Sequence, residues 1–192
     1  MGNVVVSEFV SLDGVIEDPG GAESFEHGGW SFEFARGDDG DKFKLDEVMA
    51  ADAMLLGRVT YEGFAKAWPS IRDEAGFADK MNGMPKYVVS TTLEDPQWNN
   101  TTVIDGDLEA AITDLKQRYS GDILVAGSAQ LVGALAEQGL VDEYRLMVFP
   151  LLLGSGKRLF AGGGGMTKLA LAESRPVGPD GVVVATYRRV RA

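Results

Sequence analysis

Ala53-Met54-Leu55-Leu56-Gly57-Arg58-Val59-Thr60-Tyr61-Glu62 decides how this chain is read. An apolar run ends on Gly-Arg-x-Thr, and a helical pattern follows. A buried strand that stops at a glycine and hands over to a helix leaves backbone N–H groups unpaired at the turn. The helix N-terminus adds partial positive charge there. Arg58 contributes a permanent, fork-shaped charge matched to phosphate. The turn therefore reads as half of a phosphate-binding cofactor site.

Working outward, the same strand-then-helix grammar recurs. Val4-Val5-Val6-Ser7-Glu8-Phe9-Val10 reads as a largely buried strand, closed by the turn residues Ser11-Leu12-Asp13-Gly14 before Val15-Ile16 resumes apolar character. Residues 17–41 are rich in glycine and acid, with Phe25, Trp30, Phe32 and Phe34 among them. A segment of this length is either functional or a surface loop pinned by its aromatics. A helix is expected over 41–51, then the strand at 53–56, a helix over 61–67 stopped near Trp68-Pro69, and a short helix near 73–80. Strands follow at 86–90 and 101–104, and Asp107 caps a helix to Tyr119. A buried strand at 123–126 opens through Gly127-Ser128-Ala129-Gln130 into a helix to about residue 138. Alternation of this kind argues for parallel pairing with helices on both faces. The last third differs: 144–148, 169–173 and 182–190 read as strands with no helix between them, which predicts an antiparallel addition. The Gly162-Gly163-Gly164-Gly165 run reads as a flexible connector.

Composition narrows the function. At 192 residues, 45% hydrophobic and 24% charged, one globular domain spanning 1–192 with a sizeable core is expected. The absence of cysteine excludes disulfides, thiolate metal sites and a cysteine nucleophile. The lone histidine, His27, sits in a glycine-rich loop, where a solvated role is expected, and a metal site is not. The first residues lack the basic and apolar regions of a leader peptide, and no apolar run approaches the ~20 residues of a membrane span, so a cytoplasmic protein without membrane contact is expected. A net charge of -11 argues against nucleic acid as a partner. An anionic ligand must then be drawn in locally, by helix ends, backbone amides and a few arginines.

Three strand ends carry such groups: Gly57-Arg58-x-Thr60, Ser90-Thr91-Thr92 and Ala126-Gly127-Ser128-Ala129-Gln130. Ligands of open parallel sheets lie beyond the carboxyl ends of the strands, where these residues would converge. No stretch matches the standard dinucleotide fingerprint, the P-loop or a nucleophile elbow.

Ser11-Leu12-Asp13-Gly14, Leu55-Leu56-Gly57-Arg58-Val59-Thr60-Tyr61-Glu62, Lys86-Tyr87-Val88-Val89-Ser90, Ala126-Gly127-Ser128 and Pro150-Leu151-Leu152-Leu153-Gly154-Ser155-Gly156-Lys157-Arg158-Leu159-Phe160 also occur in an informative order. Together they resemble the dihydrofolate-reductase-like superfamily, and most of all its branch related to the C-terminal reductase domain of the bifunctional riboflavin biosynthesis deaminase-reductase. The resemblance covers nearly the whole chain. It implies a three-layer α/β fold with a mixed, mostly parallel central sheet of about eight strands and an antiparallel C-terminal portion. It implies a 5-amino-6-(5-phosphoribosylamino)uracil reductase-like activity, with NADPH as hydride donor and a small heterocyclic or sugar-derived acceptor. By resemblance, Gly57, Arg58 and Thr60 hold cofactor phosphates, and Ser90 and Thr91 join Arg58 on the ribose 2′-phosphate. Gly127, Ser128, Ala129 and Gln130 place amides on the pyrophosphate and near the nicotinamide. Leu12, Asp13, Gly14, Val15 and Ile16 line the nicotinamide and substrate. Many relatives have Gly-Gly after the strand that here ends Ala126-Gly127, and some carry a cis peptide there. A non-proline cis bond costs ~3–4 kcal/mol, and these residues alone do not call for one.

The catalytic acid is unassigned. Counting back from Gly57-Arg58 without gaps, Asp41 matches the pterin-anchoring carboxylate of dihydrofolate reductases, but a solvated aspartate at a helix start is the expectation. Asp13 is the other candidate, with stabilisation of its own turn as the competing role. Lys157 and Arg158 either attract a substrate phosphate or decorate a turn. Two rival functions stay open: a non-catalytic nucleotide- or metabolite-binding protein on the same fold, and a true dihydrofolate reductase resting on Asp41. A homodimer is expected if strands 144–153 and 182–190 leave an edge that needs cover.

Overall fold

A computed structural model describes residues 1–162 and 165–190; Gly163 and Gly164 of the expected connector lie outside the described residues. The chain runs β1 (Asn3–Ser11), α1 (Gly37–Ala50), β2 (Ala51–Gly57), α2 (Arg58–Ala67), α3 (Phe77–Gly83), β3 (Lys86–Val89), β4 (Thr101–Ile104), α4 (Leu108–Arg118), β5 (Asp122–Val125), α5 (Ala129–Glu137), β6 (Glu143–Phe149), β7 (Leu169–Val177) and β8 (Val182–Arg189). The strands form one sheet in the order β4-β3-β2-β5-β1-β6-β8-β7. The pairings from β4 across to β6 are all parallel, whereas β8 runs antiparallel to both β6 and β7. This is the mixed α/β sheet anticipated above.

Strand alternation sends β1 side chains to two different cores. Val4, Val6 and Val10 pack with Ile112 and Leu115 of α4 and with Leu131, Val132 and Leu135 of α5. Val5 faces the other way, to Val48 of α1, Tyr61 of α2 and Met81 of α3. A third cluster forms beneath residues 17–36. Its centre is the fully buried Phe149, met edge-on by Phe9, Trp30 and Phe34 at centroid distances of 5.4, 5.3 and 5.8 Å. The Trp30 indole donates to the Glu17 carbonyl at 2.8 Å. The glycine-rich segment is thus pinned by its aromatics, although Phe32 stays 77% exposed.

Three helix starts and the sheet edge depart from expectation. Helix α2 begins at Arg58, directly after Gly57, rather than at residue 61. The first helix begins at Gly37 rather than residue 41, with Asp38 and Asp39 in its first turn, where their charge suits the helix dipole and offsets two poor helix formers, Gly37 and Gly40. Asp41 is therefore not a helix-start residue. The third helix begins at Phe77, because the Asp73 carboxylate, lying ahead of it, accepts from the amides of Phe77 and Ala78 at 2.9 and 2.6 Å. The strands expected to expose an edge, β6 and β8, are interior. The outer strand on that side is β7, which carries a Glu173–Arg175 ion pair, Pro176 and a register shift between Leu171 and Glu173. Charge, proline and irregular pairing all discourage further strand addition. Among the described residues no helix is long and apolar enough to cross a membrane.

Helix α1 is tied to β1 by a buried polar group. Glu47, 4% exposed, accepts from the Ser7 hydroxyl at 2.7 and 2.9 Å and pairs with Lys44, which also reaches Ser7 at 2.7 Å. Every member is satisfied, which makes burial of the charge tolerable.

Phe149→Ala is expected to cost about 3–5 kcal/mol, because it empties the site on which three rings converge. Urea unfolding measures this. Near-wild-type stability would show that the aromatic cluster contributes little to anchoring residues 17–36.

Candidate functional site

Strands β2 and β5 end close together, while β1 between β5 and β6 runs on to Ser11. Val125 of β5 is in register with Leu55 of β2 and Val6 of β1. Two residues further along each chain lie Gly57, Gly127 and Glu8. The Gly57 amide donates to the Gly127 carbonyl at 3.2 Å, so the row continues past the last paired residues. From β2 the chain continues through α2 on one face toward β3; from β5 it continues through α5 on the other face toward β6. Adjacent strands whose connections diverge in this way open a crevice at their carboxyl ends, where ligands of open α/β sheets bind.

Two helices begin at this crevice. Arg58 is the first residue of α2 and Ala129 the first of α5, and neither helix has a side-chain cap. Their first-turn amides are therefore available to an anion. The glycines permit the approach. A Cβ on Gly57 would fall 2.4 Å from Ser128 Oγ, and one on Gly127, whose φ is +94°, would fall 2.9 Å from Thr60 Oγ1. No larger residue fits at either place without displacing its neighbour. The Gly127–Ser128 peptide is cis.

The structure thus brings Gly57, Thr60, Gly127 and Ser128 together. Arg58 adjoins them, partly exposed and paired with Glu62 at 2.8 Å. Gly57 is in register with Val89, so Ser90 follows immediately on the neighbouring strand end. Its hydroxyl accepts from the amides of Thr92 and Leu93 at 3.1 and 3.0 Å, while Thr91 is exposed. Ala129 is half-buried and Gln130 exposed.

Residues 12–16 divide. Leu12 is 66% exposed, Asp13 and Gly14 are half-buried, and Val15 and Ile16 are interior, with Ile16 part of the α4–α5 core. Val15 bridges to Arg158, and Ile16 N donates to the Lys157 carbonyl at 2.9 Å, so the turn is bound to residues 151–159. Asp13 adds to that attachment. Its carboxylate accepts from Ser11 Oγ at 2.6 Å and from the amides of Leu153 and Gly154 at 3.2 and 2.9 Å, with Arg158 3.7 Å away. The Ser11 hydrogen bond, followed by those amides, holds the Asp13 carboxyl down to about 2. At neutral pH it has no proton to give and its oxygens are engaged. Asp41 is exposed and pairs with Arg36 at 2.5 Å. Lys157 pairs with Glu17 at 2.6 Å, and Arg158 donates to the Asp13 carbonyl. His27 is partly exposed beside Glu26 and Phe25.

Sequence reasoning passed over Glu8. It lies on β1 at the level of Gly127, is 8% exposed, and its Oε1 has no hydrogen-bond partner among the described residues. The signal was present: an acid inside a strand otherwise read as buried is a rare arrangement that needs a partner or a purpose. Burial pushes the Glu8 carboxyl up to about 8.

The sheet and its connections define a dihydrofolate-reductase-like α/β fold in which two helices without side-chain caps begin at one crevice. The chain belongs to the family described as the RibD C-terminal domain, whose model matches residues 3–183. It is 31% identical over 169 residues to the uncharacterized protein YwjB of Bacillus subtilis (strain 168), with 88% of each chain covered. Among solved structures it is similar to a candidate riboflavin biosynthesis protein from Shewanella sp. PV-4, with a TM-score of 0.78, 23% identity and 98% and 99% of the two chains covered. It is also similar to dihydrofolate reductase from Enterococcus faecalis, solved with NADP(H), with a TM-score of 0.60, 13% identity and 99% and 98% covered.

Asp13→Ala should lower the melting temperature at neutral pH. The folded-state pKa of Asp13, about 2, lies below its ordinary value of 3.8. Its stabilisation is therefore present above the ordinary value and is lost as pH falls through the folded one. The gap between wild type and variant should close over that interval in thermal melts. A gap that persists at the acid end would show that Asp13 stabilises by packing rather than by charge.

Proposed function

We propose that this protein is an NADPH-dependent reductase acting on a C=N or C=O bond of a small heterocyclic or sugar-derived acceptor. The observation that carries the reading is the close approach of Gly57 to Ser128 and of Gly127 to Thr60, which sets two uncapped helix N-termini at one crevice. Paired helix ends of this kind suit a ligand with more than one phosphate. Membership of the RibD C-terminal domain family supports a reductase, and the likeness to a dihydrofolate reductase solved with NADP(H) supports the cofactor.

The residues present fit that cofactor. Gly57, Arg58 and Thr60 would hold phosphate at the start of α2, and Gly127, Ser128, Ala129 and Gln130 would offer backbone amides at the start of α5. Arg58, with Ser90 and Thr91, would take the 2′-phosphate, for which a guanidinium and hydroxyls are chemically matched. Local attraction of this kind is what an acidic protein of net charge -11 requires. When bound, the nicotinamide supplies the hydride, and the protein's part is to orient the two reactants and exclude water. The loop held by Asp13 and residues 151–159 borders the place for the acceptor.

Calorimetry with NADPH and NADH tests the reading. Arg58→Ala should weaken NADPH about tenfold, or ~1.4 kcal/mol, and NADH much less. Equal losses would remove Arg58 from the 2′-phosphate. A wild-type protein that binds no NADPH would end the reductase reading.

A further inference from the structure

Glu8 is a buried acid at the crevice, and its Oε1 has no partner among the described residues. Alternation along β1 places it between Val6 and Val10, on the side of the sheet that carries α5. Register places it beside Gly127, where that helix begins. Two other buried acids show what a structural acid looks like. Glu47 is saturated by Ser7 and Lys44, and Asp18 accepts from the amides of Ala22 and Phe25. Glu8, equally buried, leaves Oε1 without any partner among the described residues. A buried polar atom without a partner is costly, and an apolar residue would suit this core position better. The arrangement makes sense if the free oxygen is kept for a ligand.

We propose that Glu8 is the proton donor of the site, giving its carboxyl proton to the nitrogen or oxygen of the acceptor as the acceptor carbon takes hydride. This rests on the reductase reading above. The balance is complete. The dihydronicotinamide is the two-electron reductant, and its hydride forms the new C–H bond. The π pair of C=N or C=O moves to the heteroatom, which forms its N–H or O–H bond with the Glu8 proton. Glu8 is left as a carboxylate and regains a proton from water. The charged groups around it set when it can act. Desolvation raises its pKa most, Lys44 of α1 opposes, Glu47 of α1 raises it, the Gly127 amide opposes and Glu23 of the long loop raises it. The net value of about 8 keeps the carboxyl protonated at neutral pH. Donation should therefore fail as pH rises through that value.

Glu8→Gln retains shape and a hydrogen-bond donor but has no proton to release. Three measurements on the full chain separate the possibilities. Carbon-13 NMR of the glutamate carboxyls, without cofactor, should show one resonance, absent from Glu8→Gln, titrating near 8 rather than in the ordinary carboxylate range. Fluorescence titration should show NADPH binding unchanged in the variant. Turnover against a panel of cyclic imines and aldehydes should fall about 10²–10⁴-fold in kcat for Glu8→Gln, and less for Glu8→Asp. An ordinary Glu8 titration, or full turnover by Glu8→Gln, overturns the donor role alone. Absence of NADPH binding by the wild type overturns the reductase reading, and is seen in the binding measurement before any turnover is attempted.

Discussion

The closeness of β2 to β5 at their carboxyl ends is the constraint on which the rest depends. The two strands are in register through Leu55 and Val125, and beyond that point the backbones remain near enough for Gly57 N to reach Gly127 O at 3.2 Å. Side chains at these two positions would collide with Ser128 and Thr60. The glycines therefore let two helices start at one place while running on opposite faces of the sheet. Neither helix is capped by its own side chains, so the first-turn donors are left for an outside acceptor. Moving either strand end by one residue would point the donors elsewhere, because successive residues face opposite sides.

This arrangement would let an acidic protein hold an anion. Long-range attraction is absent at a net charge of -11, and screening shortens the reach of single charges to about 8–10 Å in physiological salt. What remains is local. Helix ends act within their first turn, and Arg58 acts where it stands. The Arg58–Glu62 pair is exposed on α2, so its attraction is weak and the guanidinium remains available for a better partner.

Local chemistry was legible in the sequence, whereas spatial juxtaposition was not. The strand-to-glycine-to-helix turns at Gly57 and Gly127 were readable because both the apolar run and the helix start lie within a few residues. The Asp107 cap was readable for the same reason, and its carboxylate accepts from Ala110 N at 2.7 Å. Glycine and acid over residues 37–41 suggest a loop, whereas in the folded helix Asp38 and Asp39 fall in the first turn, where their charge suits the dipole. The edge of the sheet was misplaced because β8 inserts between β6 and β7, so sequence order does not give spatial order. Asp13 was readable as a turn residue, but not its grip on Leu153 and Gly154, which are distant along the chain.

Ser7 and Glu8 show where such reasoning ends. They are neighbours on one strand, both polar and both buried, and nothing local distinguishes their surroundings. Alternation sends Ser7 to the α1 side, where Glu47 and Lys44 complete its hydrogen bonds, and sends Glu8 to the side where Gly127 and Ser128 begin α5. One of the two is consumed by the fold and the other is left over. A buried strand can carry two polar residues in succession only if each face answers one of them, and here the Ser7 face does so fully while the Glu8 face, with the Gly127 amide, leaves Oε1 without a partner among the described residues. The carboxyl with the unpartnered oxygen stands at the crevice where the two helices begin. That location, rather than its residue type, separates Glu8 from the other acids of this chain.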